Sequence, residues 1–160
     1  MTASTPRPLE RKSRNYGIAQ TLVLCAFAGV FMLDTGPRLL APEVAGTIGL
    51  VLCAAGFVLM GAAFAAIRGV IQIAPEPRAG GHLVTGGIYS RLRHPIYTAI
   101  LMLAIGLFLR KPTAAVAIGA FVVTGFLILK ARFEETLLLI HYPEYAEYKT
   151  RTWGVVPFIG

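Results

Sequence analysis

The chain has 160 residues, of which 56% are hydrophobic and 14% charged, and its mean hydropathy is +0.67. These values exclude a disordered or collagen-like chain and depart from soluble domains, where about 25% of residues are charged. The formal net charge of +7 comes from 15 Lys and Arg against eight Asp and Glu. The cations lie between long apolar runs, so they read as membrane-topology signals rather than as a nucleic-acid footprint.

The first apolar run, Tyr16 to Leu33, follows a basic arm over residues 1–15 and is too long for a secretory h-region. Asp34, Thr35, Gly36 and Pro37 end it. The second run, Val44 to Ile67, opens with Pro42 and Glu43, which suit a helix first turn. Its glycines Gly46, Gly49, Gly56 and Gly61 permit close helix packing. Cys25 and Cys53 fall inside these two runs and are expected as small buried hydrophobes. The third run, Ile96 to Leu109, is short. The fourth, Thr113 to Leu129, continues in helical pattern through Lys130, Arg132, Glu134 and Glu135 to Ile140. Only Arg110, Lys111 and Pro112 separate the third and fourth runs, which predicts an antiparallel helical hairpin.

Twelve Lys and Arg fall in the N-terminal arm, the 68–95 loop and the C-terminal segment; three (Arg38, Arg110 and Lys111) fall in the other connections. The positive-inside rule then places both termini in the cytoplasm. The expected fold class is all-α: a single polytopic membrane domain over 1–160 with about four transmembrane helices. Residues 16–67 supply two packing spans. The third span is re-entrant-like, and a helical segment after the fourth lies in the cytoplasm. At about 1.5 Å per residue the third run falls short of a ~30 Å hydrocarbon core, so a polar helix start sits at the membrane boundary. Such a start is tolerated where protein buries it or where it lines a wet cavity.

Polar chemistry concentrates in two segments. The first runs from Gly81 to Tyr97 and includes Arg93-His94-Pro95-Ile96-Tyr97. The second is Arg132-Phe133-Glu134-Glu135, followed by Tyr142-Pro143-Glu144-Tyr145-Ala146-Glu147-Tyr148-Lys149. Pro95 suits the first helical turn, with His94 at the cap. Read alone, Arg93 is a topogenic charge, His94 a cap and Tyr97 an interfacial aromatic. Together they mark a helix start suited to an anionic group. Glu134 follows Lys130 by four and Glu135 follows Arg132 by three, which are surface ion-pair spacings. Adjacent glutamates lie about 100° apart on a helix, so one of the two is expected to face a pocket. Pro143 is placed to start a short helix. Tyr142, Tyr145 and Tyr148 form a stripe that either packs on the membrane surface or attracts a cation. Trp153 is read as an interfacial anchor. His82 and His141 lack partners at metal spacing, so no metal is expected.

These ordered motifs resemble the membrane methyltransferase superfamily of isoprenylcysteine carboxyl methyltransferases and phospholipid methyltransferases. The likeness covers roughly Gly81 to Ile159 and rests on Leu83-Val84-Thr85-x-Gly87-x-Tyr89-Ser90, Arg93-His94-Pro95-x-Tyr97, Glu134-Glu135, Glu144-Tyr145-x-x-Tyr148-Lys149 and Pro157-Phe158-Ile159. Tyr142-Pro143 stands where the family usually has Phe-Gly. Glu134-Glu135 replaces a longer acidic run. The resemblance implies a helical membrane core and S-adenosylmethionine as cofactor, without a Rossmann domain. It also implies that Leu83, Val84, Gly87, Tyr89, His94, Tyr97 and Glu134 or Glu135 line the cofactor site. Arg93 and Arg132 would then lie nearest the methyl acceptor or hold the cavity together. The implied acceptor is a lipophilic small molecule or a prenylated group drawn from the bilayer, with membrane lipids as surroundings and neither nucleic acid nor an obligate protein partner. The rival readings are an NADPH-dependent membrane reductase resembling the sterol reductases and a non-enzymatic membrane scaffold.

Overall fold

The computed structural model describes residues 7–68 and 83–156. Gly81, His82 and Pro157-Phe158-Ile159, all part of the motif reading, lie outside the described residues. Five α-helices and one 3-10 turn follow in order: α1 (Arg7–Leu33), α2 (Pro42–Ile67), the turn Gly87–Ser90, α3 (Pro95–Arg110), α4 (Ala114–His141) and α5 (Tyr145–Thr150). Among the described residues there is no strand, only an isolated bridge between Leu92 and Trp153. The all-α expectation holds.

Among the described residues, three helices are long and apolar enough to cross a membrane: Pro8–Leu33, Ala45–Ile67 and Ala114–His141. Their outward faces carry large exposed apolar side chains, such as Leu22, Phe57, Val58, Ile118 and Phe121. In water such surface would drive aggregation; in a bilayer it meets hydrocarbon. α3 has 16 residues, about 24 Å, and α4 has 28, about 42 Å. The length arithmetic of the sequence is therefore realised, with one helix short of the ~30 Å core and its neighbour exceeding it.

The helices pack in the order α2, α3, α4, α1. Thr113 caps α4 by accepting a hydrogen bond from the Val116 amide, so the hairpin turn between α3 and α4 is three residues long. α2 and α3 touch through backbone. A Cβ added at Gly106 would lie 2.6 Å from Cys53 Sγ and 2.8 Å from the Gly49 carbonyl oxygen. Gly106→Ala is therefore expected to destabilise the protein by about 1–3 kcal/mol, since a backbone oxygen cannot step aside. Gly46, where an added Cβ meets nothing within 4 Å, is the comparison. Melting of both alanine variants in detergent checks this, and equal midpoints would show that the α2–α3 seam yields.

Two expectations need correction. The basic arm is not separate from the first span: α1 is already helical at Arg7. Its early turns pack on the extension of α4, where Tyr16 stacks on Phe133 at 4.9 Å and the Lys12 ammonium sits 4.9 Å from the same ring. Cys53 is buried as expected, but Cys25 is exposed on α1, on a face that no neighbouring helix covers.

Candidate functional site: a glutamate pair around His94

The hairpin brings the start of α3 beside the charged part of α4. Pro95 occupies the first turn of α3 and His94 its N-cap, as the sequence predicts. The His94 side chain makes no capping bond; its carbonyl instead accepts from the Tyr97 and Thr98 amides. The imidazole is thereby free to stack on the Tyr97 ring, 5.4 Å between centroids and nearly parallel.

Both glutamates face this pair. The Tyr97 hydroxyl donates to Glu134, 2.7 Å from Oε1 and 2.8 Å from Oε2. His94 Nδ1 lies 3.9 Å from Glu134 Oε2, and its Nε2 lies 3.4 Å from Glu135 Oε1. The expectation that one glutamate alone would face the pocket is overturned. An imidazole presents two edges, so two carboxylates 100° apart on α4 reach one ring from opposite sides. His94 is 8% exposed, and its Nε2 is buried without a partner at hydrogen-bond geometry.

Each glutamate has its own cation. Lys130 Nζ lies 3.3 Å from Glu134 Oε1, donates to Gln20 of α1 at 2.6 Å and sits 5.1 Å from the Tyr97 ring centroid. The sequence spacing of this pair suggested a solvated surface, whereas Lys130 is 7% exposed. Glu135 pairs with Arg93 Nε at 2.8 Å and with Lys149 Nζ at 2.5 Å. Arg93 also donates to the Lys149 carbonyl at 2.9 Å and to the Thr152 carbonyl. Its backbone amide donates to the Trp153 carbonyl at 2.8 Å, and Thr98 Oγ1 donates to the Val155 carbonyl at 2.6 Å. Residues 149–155 are thus clamped under the α3 start, and Arg93 is the clamp.

The tyrosine stripe packs inward. Tyr145 is 1% exposed, and the Tyr148 hydroxyl donates to the Tyr89 carbonyl at 2.6 Å. Burial pushes the Tyr148 hydroxyl up to about 12, so it stays protonated and able to donate at neutral pH. Burial also raises Tyr89 and Tyr145. Tyr89 lies in the 3-10 turn that Gly87 opens at φ +59°, a left-handed conformation that disfavours side chains. That backbone requirement accounts for Gly87 by itself. Leu83 and Val84 are half-buried in the segment before the turn.

Arg132 lies apart from the cluster. It is exposed on α4 and pairs with no carboxylate among the described residues; Glu135 takes Arg93 and Lys149 instead. Gln20 is the member that sequence reasoning missed, while Lys130 and Lys149 were read as a surface ion-pair partner and a motif residue rather than as site residues. The signal for Lys130 was available, since it stands between Leu129 and Ala131 at the end of an apolar run. Gln20 carries no such local mark.

The phospholipid methyltransferase family model matches residues 44–145, a stretch that contains nearly all of α2, the whole of α3 and α4, and Arg93, His94, Tyr97, Lys130, Glu134 and Glu135. The cobalt-zinc-cadmium resistance protein CzcN of Cupriavidus metallidurans is 35% identical over 83 residues, 50% of this chain and 38% of that protein. Protein-S-isoprenylcysteine O-methyltransferase B of Arabidopsis thaliana is 36% identical over 80 residues, 48% of this chain and 40% of that protein. The chain thus spans about two fifths of the length of these curated relatives. No solved structure matches it. The family match runs through more than half of the sequence and through the α3 start and the α4 stretch that hold His94 and both glutamates, and the chain is therefore an integral membrane protein that belongs to the phospholipid methyltransferase family.

Proposed function

We propose that the protein transfers a methyl group from S-adenosylmethionine to a lipophilic acceptor, with the cofactor held at the His94 cluster. One observation carries this reading: the half-buried Glu134 and the buried Glu135 flank a buried imidazole whose Nε2, 3.4 Å from Glu135, makes no well-formed hydrogen bond. The methyl donor bears an ammonium, a sulfonium and ribose hydroxyls. Carboxylate oxygens, a basic imidazole nitrogen and tyrosine ring faces are the groups that receive such donors and cations. When bound, the cofactor supplies an already electrophilic methyl group, so the protein's part is alignment and exclusion of water.

In this reading Glu134, oriented by Tyr97 and Lys130, and His94 hold the polar end of the cofactor. Leu83, Val84, Gly87 and Tyr89 line its opposite wall. Arg93 and Lys149 fix Glu135 and hold residues 149–155 in place, which makes Arg93 a positioning residue. Arg132, exposed on α4, is assigned to the acceptor side. The acceptor enters from the bilayer as a lipophilic small molecule or a prenylated group. Residues 81–160 form the methyl-transfer half and 16–67 the packing half. All four long helices cross the membrane, α3 as the short one, with both termini and the His94 cluster on the cytoplasmic side. Reporter fusions are expected to place Pro112 outside and residue 160 inside; a cytoplasmic signal at Pro112 would reverse the orientation.

Calorimetry on the purified chain in detergent tests the activity reading. S-adenosylmethionine and its demethylated product are expected to bind, and His94→Ala is expected to weaken both at least about tenfold. Tight NADPH binding without S-adenosylmethionine binding would move the protein to the reductase class. Binding of neither would leave a scaffold.

A further inference from the structure

At the end of the bundle opposite His94, three cations meet at one open cavity of about 360 Å³. Arg38 comes from the loop after α1, Arg110 from the last turn of α3 and Lys111 from the α3 C-cap. Thr35 and Thr113 add hydroxyls to the same lining, and Thr113 is also the N-cap of α4. The Lys111 ammonium donates to the Phe31 carbonyl at 2.7 Å, tying the hairpin to the end of α1. Arg38 and Arg110 make no hydrogen bond or ion pair with any described residue, so both guanidinium forks are unused there. The carboxylate nearest in sequence is Asp34, whose Oδ1 accepts from the Gly36 amide within its own loop. No carboxylate among the described residues forms an ion pair with any of the three cations at this cavity.

The surroundings are apolar. Met32, Leu33, Leu39 and Leu40, the chain neighbours of the lining residues, are all large and exposed. A soluble phosphate would use the cations and ignore these side chains. An amphiphile would use both.

The geometry points to a headgroup site for an anionic phospholipid at the Arg38–Arg110–Lys111 cavity, with acyl chains along Met32, Leu33, Leu39 and Leu40. The guanidinium forks match phosphate oxygens bidentately. The site is separate from the His94 cluster, since the 16 residues of α3 hold the two ends about 24 Å apart. A lipid here joins the α1 end to the α3–α4 turn, and this holds whatever reaction the opposite end performs.

The test uses the full chain in detergent and anisotropy of a fluorescent phosphatidylglycerol, with phosphatidylcholine and inorganic phosphate as competitors. Phosphatidylglycerol is expected to bind, with phosphatidylcholine a weak competitor and millimolar phosphate ineffective. Arg38→Gln is expected to weaken binding about fivefold and Arg38→Gln/Arg110→Gln more than tenfold. Arg14→Gln, which does not line this cavity, is expected to leave it unchanged. The exposed loop position of Arg38 keeps the single variant folded, and its melting curve verifies that. Unchanged affinity in the folded Arg38→Gln and double variants would overturn the site. Full displacement by inorganic phosphate, or equal affinity for phosphatidylcholine, would overturn the anionic phospholipid as its ligand.

Discussion

Arg93→Ala is expected to destabilise the protein by about 3–5 kcal/mol, the usual cost of breaking a buried ion pair from one side. Its side chain is 3% exposed and is bound to Glu135, to the Lys149 carbonyl and to the Thr152 carbonyl. Removing it leaves Glu135 with Lys149 and the His94 edge and leaves two carbonyls without their donor. Glu135→Ala is expected to cost a similar amount, because it strands the Arg93 guanidinium in the same low-dielectric site. The double variant is expected to cost less than the two singles together, since neither charge is then left alone. Denaturation of the four proteins in detergent measures the coupling. Additive losses would show that the two side chains act independently, and the clamp on residues 149–155 would lose its basis.

The parts of this arrangement that rest on length were legible in the sequence. A short apolar run, a three-residue turn and an overlong fourth helix suffice to predict that His94 and Tyr97 meet the glutamates. The parts that rest on where a helix ends were less so. Hydropathy falls at Tyr16, but Arg7, Arg11, Lys12 and Arg14 are sound helix formers, and the Lys12 ammonium sits over the Phe133 ring. The helix therefore continues where the apolar signal stops. The glutamate pair defeated the periodicity argument for a different reason. Helical spacing assigns a direction to each residue but says nothing about the size of what it meets. Cys25 shows the limit peculiar to membranes: an apolar position faces either protein or lipid, and hydropathy does not separate the two.

The two glutamates are expected to separate by what their substitution damages. Glu135 holds structural partners, Arg93 and Lys149. Glu134 holds Tyr97 and Lys130, which are buried beside His94. Glu134→Gln keeps the shape and a hydrogen-bond acceptor for Tyr97 but removes the charge. Under the proposed function it is expected to weaken S-adenosylmethionine binding by roughly 10- to 150-fold, the equivalent of about 1.5–3 kcal/mol for a charge-assisted bond. Its melting point is expected to move little. Glu135→Gln is expected to show the opposite pattern, a large loss of stability with affinity falling mainly through that loss. Tyr97→Phe provides an independent arm. It deletes the hydroxyl that orients both Glu134 oxygens while keeping the ring that stacks on His94 and faces Lys130, so its affinity loss is expected to be smaller than that of Glu134→Gln. Calorimetry and melting on all three variants read the two effects separately. An unchanged affinity in folded Glu134→Gln would remove that carboxylate from the cofactor site, whereas a pure stability loss in both glutamate variants would make the whole cluster a structural clamp.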